Sequence, residues 1–172
     1  TYSNFNDFMY NLSYWSSWSN GFNIWKSEFD KIDKNLKLNK LFPHTSLFLT
    51  QHQAKLFCIN DNLLFDVQRI PKRGGHNKFE AFTIEYPSLL DECCKKGHIS
   101  TKCKKHILFG IMVQFLPSLL FNKYIIRIET FDDTGFRDNL KKYYPSYAYW
   151  LVLISVLGVP FRLFCRKLKN KR

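Results

Sequence analysis

The sequence predicts an α+β membrane protein built from N-terminal aromatic helices, an antiparallel β-rich body and a C-terminal transmembrane helix. Three observations carry that expectation. Large apolar side chains recur every three or four positions between Phe5 and Ile32, the period of one helix face. From Pro43 onward the apolar runs shorten to strand length. Residues 144–172 then pass from aromatic through apolar to basic without one acidic residue, the order of a membrane span with an oriented flank.

Length and composition bound the rest. At 172 residues the chain holds one domain of ordinary size and a short appendage, which excludes two large domains. Hydrophobic residues at 45% and aromatic residues at 17% are too many for a disordered chain. The formal net charge of +12 favours anionic partners: phospholipid headgroups, nucleic acid or acidic protein surfaces. Richness in Asn, Lys, Phe, Tyr and Ile also has the look of an AT-rich genome, which inflates lysine without functional cause. The chain opens on Thr1 rather than Met, as a processed protein or a fragment does, and no signal or transit peptide is legible in it.

Residues 1–40 read as amphipathic helices. Phe5, Phe8, Leu12, Trp15, Trp18, Phe22, Trp25, Phe29 and Ile32 form the stripe, and Asn20-Gly21 breaks it in two. Asp30 with Lys34 and Asp33 with Lys37 are spaced to support a second helix over residues 22–38. The stripe is either the packing face of a helix pair or an interface, and as an interface Phe8, Trp15, Trp18, Phe22 and Trp25 contact a partner. Residues 41–135 read as the β-rich body, with strands near 46–50, 55–59, 63–70 and 79–86 separated by polar turns and by the loop PKRGGHNK. Ser88 and Asp91 make a capping box for a short helix that Gly97 stops. Residues 107–121 are apolar but short of the roughly 20 a spanning helix needs, so they read as buried strands continued at 124–131, with a membrane helix as the alternative. DDTG at 132–135 is a turn, and 136–146 is a juxtamembrane helix ended by Pro145.

Residues 147–165 form the expected transmembrane helix. As a straight α-helix they reach about 28 Å, close to the ~30 Å hydrocarbon core. Arg162 is the only charge inside and stands near one end, where its stem can carry the guanidinium to headgroups. Tyr147 and Trp150 mark the upstream interface, and Arg166 and Lys167 begin the basic tail at 166–172, which places that tail on the cytoplasmic or matrix side. Gly158 and Pro160 are expected to kink the last turns.

The stretch GFRDNLKKYYPSYAYWLVLISVLGVPFRLF resembles the last membrane segment and its lead-in in the transmembrane protein 151 family. The matching positions are Phe136, Arg137 and Asp138, then Pro145, Trp150, Pro160 and Arg162. The resemblance implies membrane integration and transfers no catalytic residue.

Chemistry is thinly marked. Cys93, Cys94, His98, Cys103 and His106 lie close in sequence, but their spacing matches no zinc finger or knuckle and five lysines stand among them. Zinc, a disulfide from Cys93 or Cys94 to Cys103, and free thiols remain alternatives, and no stoichiometric metal is expected. Lys72, Arg73 and Lys78 are candidates for lipid headgroups, although phosphate-loop signatures are absent. With no catalytic motif and no cofactor signature, the sequence points to a non-enzymatic accessory or assembly subunit of a larger membrane complex, touching other subunits and phospholipids. An anionic-lipid-binding regulatory module is the alternative, and nucleic-acid binding a third that no RNA-binding signature favours. The membrane is the mitochondrial inner membrane or a cellular one.

Overall fold

The computed structural model describes the backbone of residues 1–18, 23–60 and 77–169, with side chains described as far as Cys165. Two compact units divide the chain, Thr1–Asp66 with Glu85–Leu108, and Val67–Ile84 with Phe109–Arg172. Among the described residues both are helical, and no strand pairs beyond one isolated antiparallel bridge between Tyr2 and Phe57.

In the first unit α1 spans Phe5–Leu12, opened by the Asn4 side chain accepting the Asp7 N–H at 3.2 Å. It buries Phe5, Phe8 and Met9. The Phe8 ring stacks on Phe57 at 4.9 Å and lies 5.8 Å from Phe48, so it belongs to an aromatic core and its ring is not offered to a partner. A 3-10 turn, Ser13–Ser17, follows. The second expected helix shrinks to α2, Lys26–Phe29, tied by a Lys26–Asp30 pair at 2.9 Å and a Glu28–Lys31 pair at 2.7 Å in place of the pairs predicted downstream. Helix α3, Pro43–Leu49, starts on a proline whose missing N–H costs nothing in the first turn. The helix α5, Tyr86–Lys95, ends at Lys96 and Gly97, whose φ of +76° only glycine takes without strain.

The β-rich body is therefore corrected to helix wherever it is described. Residues 46–50 lie in α3 and the 3-10 turn after it, because Thr45, Ser46, Phe48 and Leu49 bury one helical face that a run of five residues is too short to reveal. Residues 55–59 are irregular apart from the Tyr2 bridge, and the strand expected at 63–70 lies outside the described residues. Residues 79–86 run through α4 (Lys78–Glu80) and a π-helical turn (Ala81–Glu85) into α5. Phe79, Phe82, Tyr86, Leu90 and Cys93 are buried at steps of three and four, a helical period that strand-like alternation in FEAFTIEY masked.

Residues 107–121 likewise belong to one helix, Thr101–Ile125, of 25 residues. It comprises α6 (Thr101–Gly110), a π turn (Ile111–Phe115), α7 (Leu116–Leu120) and a second π turn (Phe121–Ile125). Residues 126–131 are irregular after it, with Arg127 at φ +60°.

In the second unit α8 covers Phe136–Tyr143, three residues short of the expected 136–146, and follows the left-handed Gly135. Phe79 packs on Phe136 at 4.5 Å and on Phe131 at 5.5 Å. The segment at 147–165 divides into α9 (Ala148–Val156) and α10 (Val159–Lys169), bent by 51° about Leu157-Gly158. The straight 28 Å span is thereby replaced: α9 alone reaches about 13 Å, under half the hydrocarbon core. Helix α9 buries Ala148 and Val152, one turn apart, against α7. Small side chains at that spacing let the two axes approach.

Candidate functional site

Proline sets the geometry of the second unit. Pro117 lies in α7 and cannot donate to the carbonyl four residues back, that of Val113. The π turn over Ile111–Phe115 widens the helix at that point, and Arg162 supplies the donor: one guanidinium nitrogen donates to the Val113 carbonyl at 2.7 Å and the other reaches that of Ser155 at 3.4 Å. Pro87 also follows a π turn, Ala81–Glu85, and the buried Tyr144 hydroxyl donates to the Phe82 carbonyl, five residues before that proline, at 2.7 Å. Arg162 thus faces inward as a pin between α10 and the long helix, rather than outward to headgroups.

With Arg162 turned in, the outer face of the bent pair is apolar. Leu157 is 81% exposed, Phe161 71% and Ile154 64%, and Trp150 and Phe164 are more than half exposed. Tyr147 is exposed beside them, while Tyr144, three residues earlier, is buried. Arg166 and Lys167 lie in α10, and their side chains are outside the described residues.

Beside α9 lies a groove of about 350 Å³ lined by Leu120, Ile125, Phe136, Tyr149, Leu153 and Val156. Asp133 borders it, receiving Lys123 at 2.7 Å and the Tyr124 hydroxyl. Burial pushes the Asp133 carboxyl up, but the bonds from Lys123 and Tyr124 outweigh it and leave the group below its usual range, so it stays ionised and paired. The Arg137 guanidinium stands over the Tyr149 ring at 5.4 Å.

Of the headgroup candidates, Lys72 and Arg73 lie outside the described residues. Lys78 is committed elsewhere, paired with Glu129 at 3.0 Å and placed over the Phe131 ring at 4.8 Å. The sequence did not single out Lys123 or Tyr144 and gave Arg137 only as a motif position, since their roles depend on partners 8 to 62 residues away.

In the first unit the Trp15 and Trp18 rings pack tilted at 5.1 Å and are both exposed, and Trp25 is 83% exposed. Phe22 lies outside the described residues. Cys93 and Cys103 are buried, Cys94 is half-buried, and all are free thiols. Burial above all pushes the Cys93 thiol up to about 11. Among the described residues no group of three or more His, Cys, Asp or Glu side chains is gathered for a metal ion.

His98 leaves the cysteine cluster and stacks on His52, ring centroids 3.5 Å apart and nearly parallel. Burial, then His52, then Lys96 hold its imidazole below the ordinary range. The unfolded chain thus takes up the proton first on acidification, and the pair's contribution, full above about pH 6.5, fades as pH falls below it. The thermal midpoint is expected to drop more between pH 7.5 and 5.5 in the wild type than in His98→Gln, and equal drops would remove the pair from the account.

Comparison with known proteins gives no match to a family model, a curated protein or a solved structure. The likeness to the transmembrane protein 151 family rests on its motif residues alone.

Proposed function

We propose that the chain is a membrane-integrated, non-enzymatic accessory or assembly subunit of a larger membrane complex. The helix Thr101–Ile125 is long and apolar enough to cross a bilayer, and the bent pair passes the same test only if taken as one broken span. The observation that carries the reading is the outer face of that pair. A run from Trp150 to Phe164 that exposes Ile154, Leu157 and Phe161 together is an apolar surface that water penalises and lipid does not. Residue numbers run oppositely in the long helix and the pair, since Tyr124 and Tyr149 line one groove while Val113 meets Arg162, so the two form an antiparallel hairpin. Helix α9 enters the bilayer beside the long helix in this reading, and Arg162 ties α10 to Val113, midway along that helix.

The protein-binding half of the proposal rests on Trp15, Trp18 and Trp25, aromatic side chains that favour interface hot spots. The test has two arms. Alkaline carbonate is expected to leave the protein in the membrane pellet, and release into the supernatant would overturn integration. Changing the three tryptophans to alanine is expected to strip co-purifying subunits while helical circular dichroism and carbonate resistance persist. Retention of the same partners by the triple variant would sink the interface.

A further inference from the structure

The groove beside α9 has features that the proposed function does not use. Its walls are aliphatic and aromatic, from Leu120 and Ile125 on the long helix to Leu153 and Val156 on α9. Its one carboxylate, Asp133, is already matched by Lys123 and Tyr124, so no unpaired negative charge repels an anion. From Tyr149 to Val156 the α9 wall runs about 10 Å. The wall is continuous with the exposed Leu153, Ile154 and Leu157, the surface assigned above to lipid. At the Tyr149 end stands Arg137, exposed, its guanidinium held over the ring. Tyr124 lines that end and Trp150 packs on Tyr149 at 5.5 Å, both exposed, as side chains at headgroup level are.

We infer that this groove seats one acyl chain of an anionic phospholipid whose phosphate is met by Arg137. The inference rests on the membrane reading and adds the ligand class. Charge complementarity chooses the occupant. A zwitterionic lipid would bring its own cation to Arg137, and an apolar helix of a partner would leave the guanidinium without an anion. Arginine presents two parallel N–H donors to a phosphate, a geometry that lysine does not reproduce, and the Tyr149 ring, 5.4 Å from the guanidinium, keeps the fork at that end of the groove. The aliphatic walls fix the chain without fixing its chemistry, so the headgroup carries the selectivity.

Native mass spectrometry of the full chain in mild detergent, with phosphatidylglycerol or phosphatidylcholine added back, tests this. One phosphatidylglycerol is expected to stay bound with roughly a five-fold preference, the size of one interfacial basic contact. Arg137→Gln, an exposed change, is expected to bring phosphatidylglycerol down to the phosphatidylcholine level, and Leu153→Trp, which fills the groove, to lower both. Lysophosphatidylglycerol is expected to compete and glycerol phosphate not to, since the chain is required. Equal retention of both lipids by wild type and Arg137→Gln, competition by glycerol phosphate alone, or a dimer that Leu153→Trp dissociates while lipid stays bound would each overturn the inference. Carbonate extraction of the same variants separates the two readings: a protein that pellets yet shows no preference loses the lipid site only, and one that is released loses the membrane reading as well.

Discussion

Tyr86→Ala is expected to unfold the first unit at ordinary temperature. The side chain is fully buried, its ring packs 5.5 Å from Phe42, and its hydroxyl pairs with Ser16 Oγ at 2.5 Å. The Ser16 carbonyl in turn accepts from Thr45 at 3.2 Å, so one phenol joins the 3-10 turn after α1, helix α3 and helix α5. Removing a buried aromatic ring costs about 3–5 kcal/mol, most of the margin of a small unit. Tyr86→Phe keeps the ring and costs only about 1–2 kcal/mol, since Ser16 still donates to the Ser13 carbonyl at 2.7 Å. Chemical unfolding followed by circular dichroism separates the two, and an alanine variant as stable as the phenylalanine one would refute the core assignment. A pH signature accompanies it. Burial, against the Ser16 bond, pushes the phenol far above its usual range, so the folded form keeps its proton where the unfolded form loses it. Stability is thus full below about pH 10 and falls above it, and Tyr86→Phe should blunt that alkaline loss.

Helical character was legible near the two ends of the chain, though not the shortness of α2 or the break of the span at Gly158, and in the middle it was not, for a physical reason. Helix α1 and helix α8 present unbroken three-four periods with caps, Asn4 before one and Gly135 before the other, and the sequence placed both. Gly97 stopped α5 as expected. The middle failed because a second pattern overlies the helical one. Across Ala81–Glu85 the buried Ala81 and Thr83 stand beside the three-four positions Phe79, Phe82 and Tyr86, and the period-two alternation Phe79, Ala81, Thr83 then shows through. Pro117 inside ILFGIMVQFLPSLLF seemed to divide a helix that in fact widens to admit it.

The candidate site was half legible for the same reason. The apolar and aromatic content of residues 147–165 announced apolar side chains that the fold leaves on the outside, but the direction of Arg162 could not be read without knowing that it meets the Val113 carbonyl, 49 residues earlier, to which Pro117 has no N–H to give. Phe8 and Trp15 share one stripe in sequence. Only the packing of Phe48 and Phe57 decides that the first is core and the second exposed.

The pin itself makes the second large prediction. Arg162→Met keeps the apolar stem but leaves the Val113 carbonyl facing a methyl group, and losing a charge-assisted bond there is expected to cost about 2–3 kcal/mol. The carbonyl needs Arg162 because Pro117 has no N–H, so Pro117→Ala, which restores one, should make Arg162 less necessary. In the Pro117→Ala background Arg162→Met is therefore expected to cost about 1 kcal/mol less than in the wild type, a coupling that a double-mutant cycle reads directly. Thermal unfolding of the four proteins in one detergent supplies the cycle. Strictly additive losses would show that Arg162 holds α10 through charge or packing alone, while positive coupling ties the bend at Gly158, the inward arginine and the widened helix at Val113 to one proline.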